Sequence, residues 1–114
     1  MHVVIFEVEP QPDGKDRYLE IAGQLRAELQ GMDGFISIER FQSLSDEGRM
    51  LSLSFWRDAD AISNWRANAE HRLAQAEGRR DIFTDYRIRI AEVVRDYTMR
   101  GRDEAPQLPP DETG

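Results

Sequence analysis

A chain of 114 residues has room for one domain and little more. Its 22 acidic and 15 basic side chains give a net charge of -7, which argues against nucleic acid or an anionic membrane as partner, since both reward clustered Lys and Arg. There is no cysteine, which excludes a disulfide framework, a zinc knuckle and a thiol nucleophile, and no run approaches the roughly 20 apolar residues of a membrane span.

The start, Met1-His2-Val3-Val4-Ile5-Phe6, lacks the basic flank and long apolar stretch of a signal peptide, so a cytoplasmic protein is expected. Residues 2–8 are apolar and β-branched and end at Pro10-Gln11-Pro12, which predicts a strand stopped by proline. Asp13 reads as the N-cap of a first helix, with Asp16 as a weak capping partner. Tyr18, Ile21, Ala22, Leu25 and Leu29 follow at helical spacing, and Gly31 sits where that helix should stop.

Residues 35–41 alternate loosely, Ser45-Asp46-Glu47-Gly48 is turn chemistry, and residues 50–56 resume as a strand, together an antiparallel hairpin. In its second strand Leu51, Leu53 and Phe55 share one face and Met50, Ser52, Ser54 and Trp56 the other. Both faces carry large apolar groups, so each is expected to pack against something. Asp58 or Asp60 can cap a second helix with the stripe Ile62, Trp65, Ala69, Leu73 and Ala76, and Gly78 reads as its stop. A long strand over 82–97 follows, with Phe83 opposite in parity to Tyr86 and Ile88; its length predicts a bulge or bend. The expected domain is 1–99, and 100–114 reads as a disordered acidic tail containing proline.

The order strand, helix, strand, strand, helix, strand is the α+β, ferredoxin-like pattern. Its two helices cover one face of a four-stranded antiparallel sheet. The other face, apolar here, predicts a second copy packed sheet to sheet as a homodimer.

Candidate chemistry is densest on the second helix, at Asn64, Trp65, Asn68, His71 and Arg72. Asn64, Asn68 and His71 form one stripe of a continuous helix, while Trp65 shares its stripe with Ala69 and Arg72. The bland reading makes Trp65 core and the Asn-His stripe a solvated edge. The functional one makes His71 a general base, since an imidazole titrates near working pH. Glu7 interrupts an apolar strand: buried, it would shuttle a proton; otherwise it pairs with Arg40, Arg87 or Arg89. His2 and His71 lie too far apart to give metal-ligand spacing, so no metal is expected. No phosphate-cradling loop, nucleophile elbow or dinucleotide fingerprint is present.

The run from Leu51 through Phe55-Trp56 to Trp65, then Ala69-Glu70-His71, Gly78-Arg79 and Phe83-Thr84-Asp85-Tyr86-Arg87, resembles the antibiotic biosynthesis monooxygenase family, and Gly34-Phe35 fits too. The resemblance spans about residues 2–97 and implies a dimeric α+β barrel. Some members of that family oxidise aromatic phenols with dioxygen and no cofactor; others degrade haem. The haem-degrading branch uses a first-strand Asn, a helix Trp and a His ten residues further on. Here Glu7, Trp65 and Gln75 occupy those places, and His71 lies four residues short, so only the Trp is kept. The phenol-oxidising branch sets polar groups near the same Trp. It implies Trp65 with His71, Asn64 and Arg87 as its polar partners; read as an enzyme, the chain would use Trp65 as the wall, His71 or Glu7 as the base, and Asn64, Asn68, Arg87 and Phe55 to bind substrate. The expected function is a cofactor-independent monooxygenase acting on a small or polycyclic aromatic. The alternatives are a non-catalytic ligand-binding dimer of the same fold and, behind it, a haem-binding protein.

Overall fold

The computed structural model describes residues 1–76 and 83–107, with residues 70–76 as backbone only. Six elements follow in the expected order: β1 (His2–Pro10), α1 (Lys15–Gln30), β2 (Phe35–Gln42), β3 (Met50–Trp56), α2 (Ala59–Ala76) and β4 (Phe83–Glu92). The strands make one antiparallel sheet in the order β2-β3-β1-β4, so the ferredoxin-like fold class holds.

Both helices cover the same face. Tyr18 and Ile21 of α1 pack with Val8 and Phe83 at one end of the sheet. At the other end Leu29 of α1 and Ala61 and Ile62 of α2 close over Trp56, which is 0% exposed. Register puts Val4, Phe6 and Val8 of β1 on this inner face, beside Met50, Ser52, Ser54 and Trp56 of β3. The outer face carries Val3, Ile5, Leu51, Leu53 and Phe55, with Glu7, Glu39, Arg87 and Arg89 around them. Both faces are apolar at the centre, as the alternation in β3 predicts.

Local chemistry departs from the sequence reading in three places, while the cap of α2 is one of the two aspartates expected. Helix α1 is capped by Gly14, not Asp13, and no side chain bonds its end. Pro12-Asp13-Gly14 belong to a turn closed by the Gly14 N–H donating to the Gln11 carbonyl at 2.7 Å. The Gly14 carbonyl then accepts the first helical bond, from Tyr18 N–H, at 2.8 Å. For α2 the cap is Asp58, whose Oδ1 accepts the Ala61 N–H at 2.9 Å. Strand β4 stops at Glu92 rather than reaching residue 97, because its neighbour β1 begins there. Glu92 faces His2, and Val93 N–H makes the last bond, to the Met1 carbonyl.

The third departure, the face taken by Phe83, comes from the bulge that the length of β4 predicts and shapes the core. Glu9 faces Asp85 while Pro10 faces Phe83, so Thr84 is an extra residue, a bulge. It turns Phe83 to the inner face, against the simple alternation, where its ring meets Tyr86 at 5.7 Å and Tyr18 at 5.6 Å. A second register shift, at Ile36, explains the loose alternation of β2: Phe35 stays on the inner face against Trp56, at 5.3 Å. Residues 77–82, and with them the Gly78 stop and Ile82, lie outside the described residues.

Arg57 fastens the joint between β3 and α2. Its guanidinium bonds Asp33 through two nitrogens, at 3.1 and 2.9 Å, and Asp58 at 2.9 Å. Those bonds hold the Asp33 carboxyl below the usual carboxylate range; Asp58 is held down likewise, with help from the Ala61 N–H. Gly34, at the entry to β2, has φ +84°, and a Cβ there would stand 2.6 Å from Ala61 Cβ. Only glycine suits that conformation and that gap. Gly34→Ala therefore costs roughly 2–4 kcal/mol in strain and overpacking, read as a fall in the urea midpoint at unchanged m. Ala61→Gly in the same chain recovers the overpacking share and leaves the strain.

Candidate substrate pocket

The inner face of β3 reads large, small, small, large: Met50, Ser52, Ser54, Trp56. Bridging helices rest on the large ends, and the two serines, both buried, leave a hollow beneath them. Two adjoining apolar lobes result, of about 130 and about 120 Å3, sharing Phe6, Ile38, Ser52, Trp65, Ala69 and Phe83. Val4, Tyr86 and Ile88 extend the first lobe, while Tyr18, Leu25 and Arg40 extend the second. A dry cavity of about 150 Å3 accepts a benzene ring, so each lobe has room for about one ring.

Trp65 is the wall from α2. Its indole stacks on Trp56, with ring centroids 6.4 Å apart and planes at 28°. Trp56 is itself fixed from below, since its Nε1–H donates to Ser54 Oγ at 2.9 Å. A buried indole N–H needs such a partner. Ser54 thus both opens space and satisfies the Trp.

One transverse row of the sheet sets the polar content. Arg40, Ser52, Phe6 and Ile88 are direct neighbours across β2, β3, β1 and β4. Arg40 runs inward among apolar groups towards α1, where its charge lies beside the Tyr18 hydroxyl. Burial pushes the Tyr18 phenol above its ordinary pKa and the Arg40 charge pulls it back, with a net rise. Tyr18 is therefore a neutral phenol at neutral pH.

Among the described residues, Trp65 is the one expected catalytic or substrate-binding residue that lines this cavity. Phe55 and Arg87 lie on the outer face, separated from Trp65 by the sheet. Glu7 is there too, and accepts a bond from Arg89 at 2.7 Å, the arginine pairing considered above. Glu7 and Arg87 border a polar cleft with Glu9, Arg49 and Asp85. Asn64 is exposed to solvent. Asn68 donates to Glu28 at 3.1 Å, tying α2 to α1. Helix α2 runs unbroken through position 71, six residues beyond Trp65, but the His71 side chain is outside the described residues. Among the described residues no cluster of His, Asp and Glu is placed to hold a metal ion.

Sequence reasoning missed Tyr18, Arg40, Ser52 and Phe83. Ser52 was legible, as one of two small side chains on a face that ends in Trp56. Arg40 had the same parity as Ile38. Phe83 was hidden by the bulge.

A sequence model of the antibiotic biosynthesis monooxygenase family matches residues 1–77, and the chain belongs to that family. A jasmonate monooxygenase from the fungus Pyricularia oryzae is 50% identical over 94 residues, which are 82% of this chain and 44% of that protein. The chain thus spans less than half the length of this relative. Among solved structures, Rv0793 from Mycobacterium tuberculosis superposes with a TM-score of 0.72 at 16% identity, covering 85% of this chain and 98% of that one. SnoaB, a cofactor-independent oxygenase from Streptomyces nogalater, gives 0.68 at 10% identity, covering 83% and 94%. Those likenesses establish the shared fold.

Ser54→Ala leaves the buried Trp56 indole N–H without its acceptor and costs about 1–3 kcal/mol. Ser52→Ala, measured beside it by urea unfolding, is milder because that hydroxyl holds no indole.

Proposed function

We propose that this chain is a monooxygenase that binds a small, mainly apolar ring compound between sheet and helices and oxidises it with dioxygen, using no metal, flavin or haem. The apolar cavity under Trp65, in a chain of the monooxygenase family, carries this reading. The relative named a jasmonate monooxygenase supports a small cyclic substrate. With a phenol as substrate, one atom of dioxygen enters a ring carbon as a quinone carbonyl and the other leaves as water. The substrate supplies all four electrons, so the protein has only to bind, desolvate and deprotonate it.

The walls account for the first two tasks. Trp65, Phe6 and Phe83 offer ring faces and edges, and the surrounding apolar side chains keep water from the reacting carbon. The base is assigned to His71, since Glu7 is engaged by Arg89 on the other side of the sheet. The same placement weakens the haem reading, since Glu7, at the first-strand position, stands across the sheet from Trp65. One observation favours a binding protein without turnover, namely that among the described residues Trp65 is the one expected site residue lining the cavity.

The outer sheet face is assigned to a second copy of this chain. Its apolar centre is flanked by acids, Glu7 and Glu39, and by arginines, Arg87 and Arg89, a pattern that complements itself under a two-fold axis.

An oxygen-electrode assay with 1-naphthol tests the activity. The wild-type chain should consume dioxygen with it. Ser52→Leu, which fills the cavity, should abolish uptake in a folded protein, and His71→Ala should lower it about 100-fold or more. A ligand that binds with no uptake by the wild type would instead establish the binding protein. Sedimentation velocity tests the assembly: a dimer is expected for the wild type and a folded monomer for Leu53→Glu.

A further inference from the structure

Among the described residues, the charges on the cavity walls are all of one sign. Across both lobes, the described lining residues include Arg40 and Arg66 and no carboxylate, in a chain whose net charge is -7. The two differ in kind. Arg66 lies on an exposed position of α2 at the rim of the first lobe. Arg40 is half-buried on the inner face of the sheet, and its Nε is a buried donor with no hydrogen-bond partner.

That orphan donor sets Arg40 apart. Arg17, Arg49, Arg57 and Arg89 each reach a carboxylate within 3.1 Å. Arg40 forms no such pair among the described residues; the polar group that shares its lobe is the neutral hydroxyl of Tyr18. A guanidinium has five N–H donors and no acceptor, and a buried donor left unpaired costs the full desolvation of that group. Arginine at a sheet position flanked by Ser52 and Ile38 is therefore a standing expense to stability unless something anionic arrives. The chain supplies no such group from its described residues, and the space beside Arg40 opens into the second lobe.

We propose that the ligand carries a carboxylate, which the Arg40 guanidinium receives in the lobe it shares with Tyr18 while the apolar walls take the ring. The inference rests on the cavity's being the ligand site proposed above. A planar monoanion matches one guanidinium through two parallel N–H···O bonds. A dianion such as phosphate would bring a second charge into a lobe with a single described cation. Tyr18 can donate its hydroxyl to the same carboxylate, since burial keeps its proton in place. Arg40 is then a binding and orienting residue: anchoring one end of the ligand decides which ring carbon lies under Trp65.

Calorimetric titration of the full chain with 3-phenylpropionate and with 3-phenylpropanamide, equal in size and different in charge, tests this. The acid should bind the wild type at least about tenfold tighter than the amide, the span of a charge-assisted pair over a neutral one. Arg40→Gln should lower the acid's affinity about tenfold and leave the amide within about twofold, erasing the preference; Arg40→Lys should keep part of it. Equal binding of acid and amide to the wild type overturns the carboxylate anchor and keeps the cavity as a ligand site. A preference that survives Arg40→Gln assigns the charge recognition elsewhere and overturns it too. Binding of neither probe at millimolar concentration overturns both the anchor and the cavity reading. Selective acid binding without dioxygen uptake from any phenol leaves the anchor standing and removes the monooxygenase.

Discussion

The structure depends on one alternation, the inner face of β3. Two large side chains, Met50 and Trp56, support the helices at either end, and the two serines between them are too small to reach up to what lies above. A close-packed protein interior would fill that gap with larger groups. Here the gap persists because the Trp56–Trp65 stack and the Tyr18–Phe83 cluster bear the helices on both sides of it. A sheet covered by helices need not be hollow. This one is, and the hollow is where a small molecule fits.

The same strand shows how one sequence serves two interfaces. Its even-numbered residues make the cavity floor and its odd-numbered residues, Leu51, Leu53 and Phe55, make an apolar outer surface. Period-two geometry lets the two faces be written independently, so the outer face can answer to a second copy while the inner face answers to a ligand. Charged groups follow the same division. Glu7 and Arg89 pair near solvent on the outer face, where an ion pair is worth little. Arg40 sits among apolar neighbours on the inner face, where an unpaired cation is expensive. Position relative to the sheet, more than residue type, separates a solvated ion pair from a recognition group.

Much of the fold was legible because its signals are local. The proline stop after β1, the helical stripe of α1, the turn before β3 and the Asp58 cap all lie within a few residues of what they control. A bulge in β4 was legible from the strand's length, but its position was not, and the irregularity in β2 was not legible at all. Each is an extra residue whose position is set by how far a strand can pair with its neighbour, and that neighbour is remote in sequence. Phe83 therefore moved from one face to the other, and β4 ended where β1 ran out of partners.

The candidate site followed the same rule with less success. Trp65 was found because it belongs to a recognisable family pattern and an apolar stripe. Glu7, Phe55 and Arg87 were chosen for their chemistry, yet their parity places them beyond the sheet. The sequence by itself determined the order of elements, the two-sided character of the strands and the family to which the chain belongs, since each rests on spacing and composition. Only the tertiary structure decided which candidates share a space. It brought Tyr18 to Arg40 and laid Trp65 over Ser52, because contacts between distant segments depend on strand register, and register is fixed only when the whole sheet has formed.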